Sequence, residues 1–199
     1  LADALLDSEG NLDNPSEMDA MRGTNFVGGL RWLREQGLEA RYLASLPTDL
    51  HEAVLLAEAS AWVPMPVVLA HYEALDALDL SFERRIEFGA AVSRTINGVV
   101  LTTIARLAGS AGLSPLTPLS RAAKLFARNY RGGAVAVYQT APTEARFEVQ
   151  GAPMASSPCH RDNILGALID GSRPFADDVR VTEIVPKRTA RSYAFRLRW

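Results

Sequence analysis

Cys159 and His160 stand side by side at the start of an apolar helical run, and their types are the ones in this chain that most suggest catalysis. A thiolate near a helix start is favoured by the helix dipole. Neighbouring helical side chains diverge by about 100°, however, so His160 is poorly placed as a base for Cys159. Ser156 and Ser157 lack the strand–turn–helix context of a nucleophile elbow. Cys159 is a candidate reactive thiol, and the chain reads as non-catalytic. His71 falls three residues after Val68 and four before Leu75, on the apolar side of a helix. It could ligate a metal or haem, but a hydrogen-bonded core histidine is the commoner arrangement. His51 and Asp49 do not make a zinc spacing, and neither H-x-x-x-H nor H-E-x-x-H occurs, so no metal site is expected. Neither G-x-G-x-x-G nor G-x-x-x-x-G-K-[ST] occurs either, so nothing points to a nucleotide.

The chain has 199 residues, enough to bury one sizeable core, with 48% hydrophobic and 22% charged residues. No apolar run reaches the roughly 18 residues of a membrane span. The single cysteine excludes an internal disulfide and fits a reducing, cytoplasmic setting. The net charge of −2 hides an asymmetry. Residues 1–20 carry six acids and no base, whereas residues 121–199 carry thirteen Lys or Arg against seven acids. A solvated sheet face paired to acidic helices accounts for the basic half. Aromatics are not interleaved with these bases on one face, so no nucleic-acid partner is expected.

The elements that must position these residues fall into two halves. Residues 1–20 read as a peripheral acidic arm with a short helix over 2–6, and 21–199 as a single α+β domain. Helices fill 21–131: Phe26, Val27, Leu30 and Leu33 recur at helical spacing, and Gly28-Gly29 hint at close packing against a backbone or a ligand. Pro64 and Pro66 make a bend at Trp62. Ser81 can cap a segment running to about Leu107, whose tail over 96–109 is apolar almost all round and reads as a buried central helix. Beyond Arg131 the period changes to two, and 132–199 reads as an antiparallel sheet of about four strands in the order β-β-α-β-β. The last strand places Tyr193, Phe195, Leu197 and Trp199 on one face and Ala194, Arg196 and Arg198 on the other.

Several short motifs occur in a fixed order through residues 23–199. They are Gly23-Thr24-x-Phe26 with Gly29, Trp62-Val63-Pro64, Glu87-Phe88-Gly89, Arg128-Asn129-Tyr130-Arg131, Asn163-Ile164-Leu165-Gly166 and the terminal Trp199. In this the chain resembles a paralogous family of uncharacterised proteins best known from myxobacteria. That family in turn looks like the superfamily of haem–nitric-oxide-binding, four-vinyl-reductase-type and Bet3-like domains. The resemblance implies helices packed on an antiparallel sheet, a hydrophobic ligand cavity between the layers, and frequent dimerisation. The haem-binding branch carries a Tyr-x-Ser-x-Arg signature that is absent here. The vinyl-reductase-type branch often has cysteines in its last strands, and this chain has none after Cys159. Both departures speak against carrying over haem or metal chemistry.

The expectation is therefore a regulatory or sensor-type domain that binds a small apolar ligand between helices and sheet. Trp62, His71, Tyr72, Phe88, Phe147, Tyr193, Phe195 and Trp199 are its candidate contacts, and no cofactor is expected, haem included. The reading calls for a preformed cavity of roughly 300 Å³ or more. The alternative is a protein-interaction or scaffold module, acting as a homodimer or within a larger assembly.

Overall fold

The computed structural model describes residues 3–111 and 114–199, with the backbone alone over 97–111. The chain opens with β1 (Ala4–Glu9) and β2 (Ala20–Arg22), then α1 (Gly23–Glu35), α2 (Glu39–Ser45) and α3 (His51–Leu55). There follow β3 (Trp62–Pro64), α4 (Met65–Asp76), α5 (Phe82–Ala111), α6 (Leu116–Leu119) and α7 (Ala122–Ala127). The last third holds β4 (Tyr130–Arg131), β5 (Ala134–Ala141), β6 (Glu144–Gln150), α8 (Pro158–Ser172), β7 (Arg180–Glu183) and β8 (Ser192–Arg198). The result is an α+β fold with antiparallel sheets, as the change of hydrophobic period predicts. Among the described residues, no helix is long and apolar enough to cross a membrane.

The main sheet has five strands in the order β1-β5-β6-β8-β7, and a small sheet has the order β3-β2-β4. Alternation decides the inner face: Val135, Val137, Ala145, Phe147, Val149, Tyr193, Phe195 and Leu197 are all buried. Phe147 pairs with Phe195, and Val149 with Tyr193. Each such side chain contributes on the order of 1.5–3 kcal/mol through burial. Arg196 and Arg198 face outward and are exposed, and Trp199 is half-buried at the sheet's end.

The N-terminal segment corrects an expectation. Instead of a helix over 2–6, Ala4–Glu9 forms an edge strand on β5, with Leu5 opposite Tyr138 and Glu9 opposite Val135. Helix propensity is a weak local preference, and it loses to the unpaired backbone edge that β5 would otherwise expose. Asp7, buried on this strand, accepts the backbone N–H of Ala123 at 3.0 Å and of Lys124 at 3.4 Å. It thereby caps the first turn of α7 from across the fold.

Helices α5 and α8 touch backbone to backbone. A Cβ on Gly89 would lie 2.2 Å from the Asn163 carbonyl oxygen, and one on Gly166 would lie 2.3 Å from that of Ile86. Flanking ion pairs join the same helices, Arg85 to Asp162 and Arg94 to Asp170, both at 2.6 Å. On the other side of α5, the Gly28 position of α1 lies against Val92 and Thr95. The glycine pair of α1 thus serves close packing against a second helix. The side chains that would test a buried central helix over 97–109 lie outside the described residues.

Candidate functional site

The two buried imidazoles are both held by tyrosines. His71 Nδ1 and the Tyr42 hydroxyl share a hydrogen bond of 2.6 Å, and His160 Nε2 and the Tyr193 hydroxyl share one of 2.9 Å. Tyr72 packs edge-on against both rings, with centroids 5.2 Å from His71 and 4.9 Å from His160. The Asn163 amide donates to the Tyr72 hydroxyl at 3.1 Å. Burial lowers both histidine pKa values to about 3, with Arg161 adding a smaller effect at His160, so both rings are neutral. Burial also pushes Tyr130 up to about 12 and Tyr42, Tyr72 and Tyr193 upward, so the phenols stay protonated. His160 Nδ1 is the one imidazole nitrogen in this cluster that is buried with no hydrogen-bond partner.

Cys159, the candidate reactive thiol, lies in the core. It is fully buried, and desolvation, helped by the nearby Asp76 carboxylate, pushes its thiol well above the ordinary value. Its backbone N–H donates to Asp76 Oδ1 at 2.9 Å, while His160 turns to Tyr193.

Between the layers lies a cavity of about 130 Å³. Val92, Ser93 and Ile96 of α5 and Asn163, Ile164, Ala167 and Leu168 of α8 form one wall. Leu119 of α6, Ala122, Leu125 and Phe126 of α7 and Phe147 of β6 form the other. Asn25, Asn129, Tyr130, Gly171 and Ser172 also line it. Among the described residues, the lining is apolar apart from carboxamides and hydroxyls, and none of them is charged.

Of the eight expected ligand contacts, Phe147 alone lines this cavity. Tyr72, Phe88, Tyr193, Phe195 and His71 are buried in the packed core. Trp62 lies on the small sheet with the Arg22 guanidinium 3.9 Å over its ring, and Trp199 sits just past the end of β8 on the main sheet. The residues that converge are mostly small polar or aliphatic ones on α5, α7 and α8, together with Phe126 and Tyr130. The Asn163-Ile164-Leu165-Gly166 motif contains two of them, Asn163 and Ile164, without marking them as a site. The other candidate rings pack against neighbours, and large rings in close packing leave little space open beside them. The cavity is also smaller than the roughly 300 Å³ expected. Hollows of 330 and 310 Å³ occur elsewhere, one bordered by Glu148, Lys187 and Arg191, the other beside Trp62 and Gly132.

No protein-family model matches this chain, and no curated protein does. Solved structures share its fold. An oxygen-binding H-NOX domain related to soluble guanylate cyclases, in its oxygen complex, aligns over 89% of this chain and 94% of its own at 14% identity and TM-score 0.60. The Fe(II) unliganded H-NOX protein from K. algicida aligns over 89% and 96% at 12% identity and TM-score 0.62. A structure from work on heme distortion in the H-NOX family covers 90% and 95% at 14% identity and TM-score 0.62.

These neighbours overturn the expectation that set haem aside. The fold that this chain shares is one on which haem proteins are built, and a missing Tyr-x-Ser-x-Arg signature does not outweigh that. The residues present show what the group would meet here. A cavity of about 130 Å³ does not hold a porphyrin as the side chains are packed, and His71, held at Nδ1 by Tyr42, does not line it.

Proposed function

We propose that this chain is a sensor-type domain on the H-NOX fold, holding a small ligand between its helices and its sheet. The observation that carries the reading is the interlayer cavity itself. It is apolar, walled by four separate helices and one strand, and edged by the buried carboxamides Asn25 and Asn163. Binding there would bias how α7 and α8 pack on the sheet, which is how a ligand shifts a population of conformations. The neighbours make haem a candidate ligand, and the cavity's size makes a smaller apolar molecule the other. In this reading the domain belongs to the paralogous family its short motifs resemble and works in the cytoplasm, where its lone thiol stays reduced. A second copy or another protein would receive the change in packing.

Three measurements on the purified chain test this together. Native mass spectrometry reports any retained small molecule, a hemin titration follows the Soret band, and thermal melts are run with a panel of small ring compounds. A retained ligand, a Soret band saturating at one haem per chain, or a ligand-raised melting temperature supports the proposal. A bare polypeptide mass, an unchanged free-hemin spectrum and melts indifferent to the whole panel would together remove it.

A further inference from the structure

The cavity's volume and its polar atoms narrow the ligand further, on the reading that this is the ligand site. An apolar cavity of about 150 Å³ in a protein core takes one benzene or a xenon atom, so 130 Å³ is room for a single ring. Among the described residues no Lys or Arg lines the space, which disfavours anions, and no Asp or Glu does, which disfavours cations.

The carboxamides carry the chemical information. Asn25 Nδ2 donates to the Arg22 carbonyl at 3.1 Å, and Asn129 Nδ2 donates to the Leu125 carbonyl at 2.9 Å. A carbonyl oxygen only accepts, which fixes the orientation of both amides. A hydroxyl accepts as well as donates, and Asn163 Nδ2 donates to that of Tyr72 at 3.1 Å. The amide nitrogens are thus engaged by the protein, and the Oδ1 atoms are the acceptors that remain. Among the described residues no hydrogen bond reaches the Oδ1 atom of Asn25, Asn129 or Asn163. Asn25 and Asn163 are each only 5% exposed, so bulk water does little to satisfy them.

We propose that the cavity binds one ring-sized, largely apolar molecule bearing a single hydrogen-bond donor, of the phenol or indole class, with the donor directed at the carboxamide oxygens of Asn25 and Asn163. An apolar ring of the same size would fill the space but leave buried acceptors unpaired. A ring carrying only acceptors would set oxygen against oxygen.

Isothermal titration calorimetry of the full chain with phenol, indole, benzene, anisole and benzoate tests the assignment. Phenol or indole is expected to bind at least tenfold tighter than benzene or anisole, and benzoate is expected not to bind. Anisole or benzene matching phenol, or no heat with phenol and indole, overturns the proposal. The series uses the unaltered chain, so it does not depend on any variant folding. Ala167→Phe, which fills the cavity from α8, is expected to abolish phenol binding with the circular dichroism spectrum retained; unchanged affinity in that folded variant would place the site elsewhere and overturn the assignment. Haem uptake or a retained ligand without phenol or indole binding would remove this proposal alone and leave the sensor reading standing.

Discussion

His71 and His160 are neutral rings in a protein that must keep them so to stay folded. Their pKa values fall from 6.5 to about 3 because burial penalises the charged form. Above pH 6.5 the folded and unfolded chains bind the same number of protons at these rings, and their contribution is flat. Below pH 6.5 the unfolded chain takes up protons that the folded chain refuses. Stability should therefore drop by up to about 3 kcal/mol per pH unit for the two rings together once the pH is well below 6.5. Urea midpoints measured between pH 7 and pH 5 check this, and a flat profile over that interval would contradict it. A second prediction concerns Gly89, where a methyl group would collide with the Asn163 carbonyl at 2.2 Å. Gly89→Ala should cost about 1–3 kcal/mol in chemical denaturation despite the better helix propensity of alanine. Gly171→Ala, with nothing within 4 Å of its added carbon, should instead be neutral or stabilising by up to about 1 kcal/mol. Equal effects at the two positions would mean that α5 and α8 are not in backbone contact.

At the scale of elements, β1 carries more than its length suggests. It pairs the outer edge of β5, and through Asp7 it holds the first turn of α7, the helix that walls one side of the cavity. Asp7→Ala should lower stability by about 1 kcal/mol, the usual loss of an N-cap, and should speed amide exchange in α7 more than in α8. Unchanged exchange in α7 would show that the carboxylate is not what holds it. The acidic segment is used in other ways too. Asp3 pairs with Arg146, Glu17 with Arg191 and Asp19 with Arg131. On the sheet's outer face, Glu144 meets Arg196 and Arg198, and Glu148 meets Arg146 and Lys187. The basic excess of residues 121–199 is thus answered largely by acids from the N-terminal segment and from the same sheet, where acidic helices were expected. Most of these pairs are partly exposed, so each is worth well under about 1 kcal/mol.

At the scale of the whole molecule, the cavity is bordered by α5, α6, α7, α8 and β6. A ligand in it contacts α5, α7, α8 and β6 together, so binding should stabilise them as a unit. At a concentration one hundred times its dissociation constant, a ligand bound only by the folded chain should add about 2.7 kcal/mol to stability. Hydrogen exchange should slow in α7, α8 and β6 while β7 and α2 stay unchanged. Uniform slowing across the chain would indicate stabilisation without a local site.

The change of hydrophobic period near Arg131, the alternation through 134–149 and 192–198, and the proline bend at Trp62 determined the α+β class, the sheet's inner face and most of the helices. These are local patterns, set by which side of an element each side chain occupies, and no tertiary information is needed to see them. The pairing of β1 with β5 was not visible, because a six-residue acidic stretch becomes a strand only when a distant edge is offered to it. The site was hidden for a related reason. Tyr193 and Phe195 were correctly placed on the floor of the core, but a floor filled by rings encloses nothing. The open space arises where α5, α7 and α8 meet above Phe147, beside two asparagines that no periodicity picks out. A cavity is volume left over from packing, and only the assembled tertiary structure decides where that volume remains.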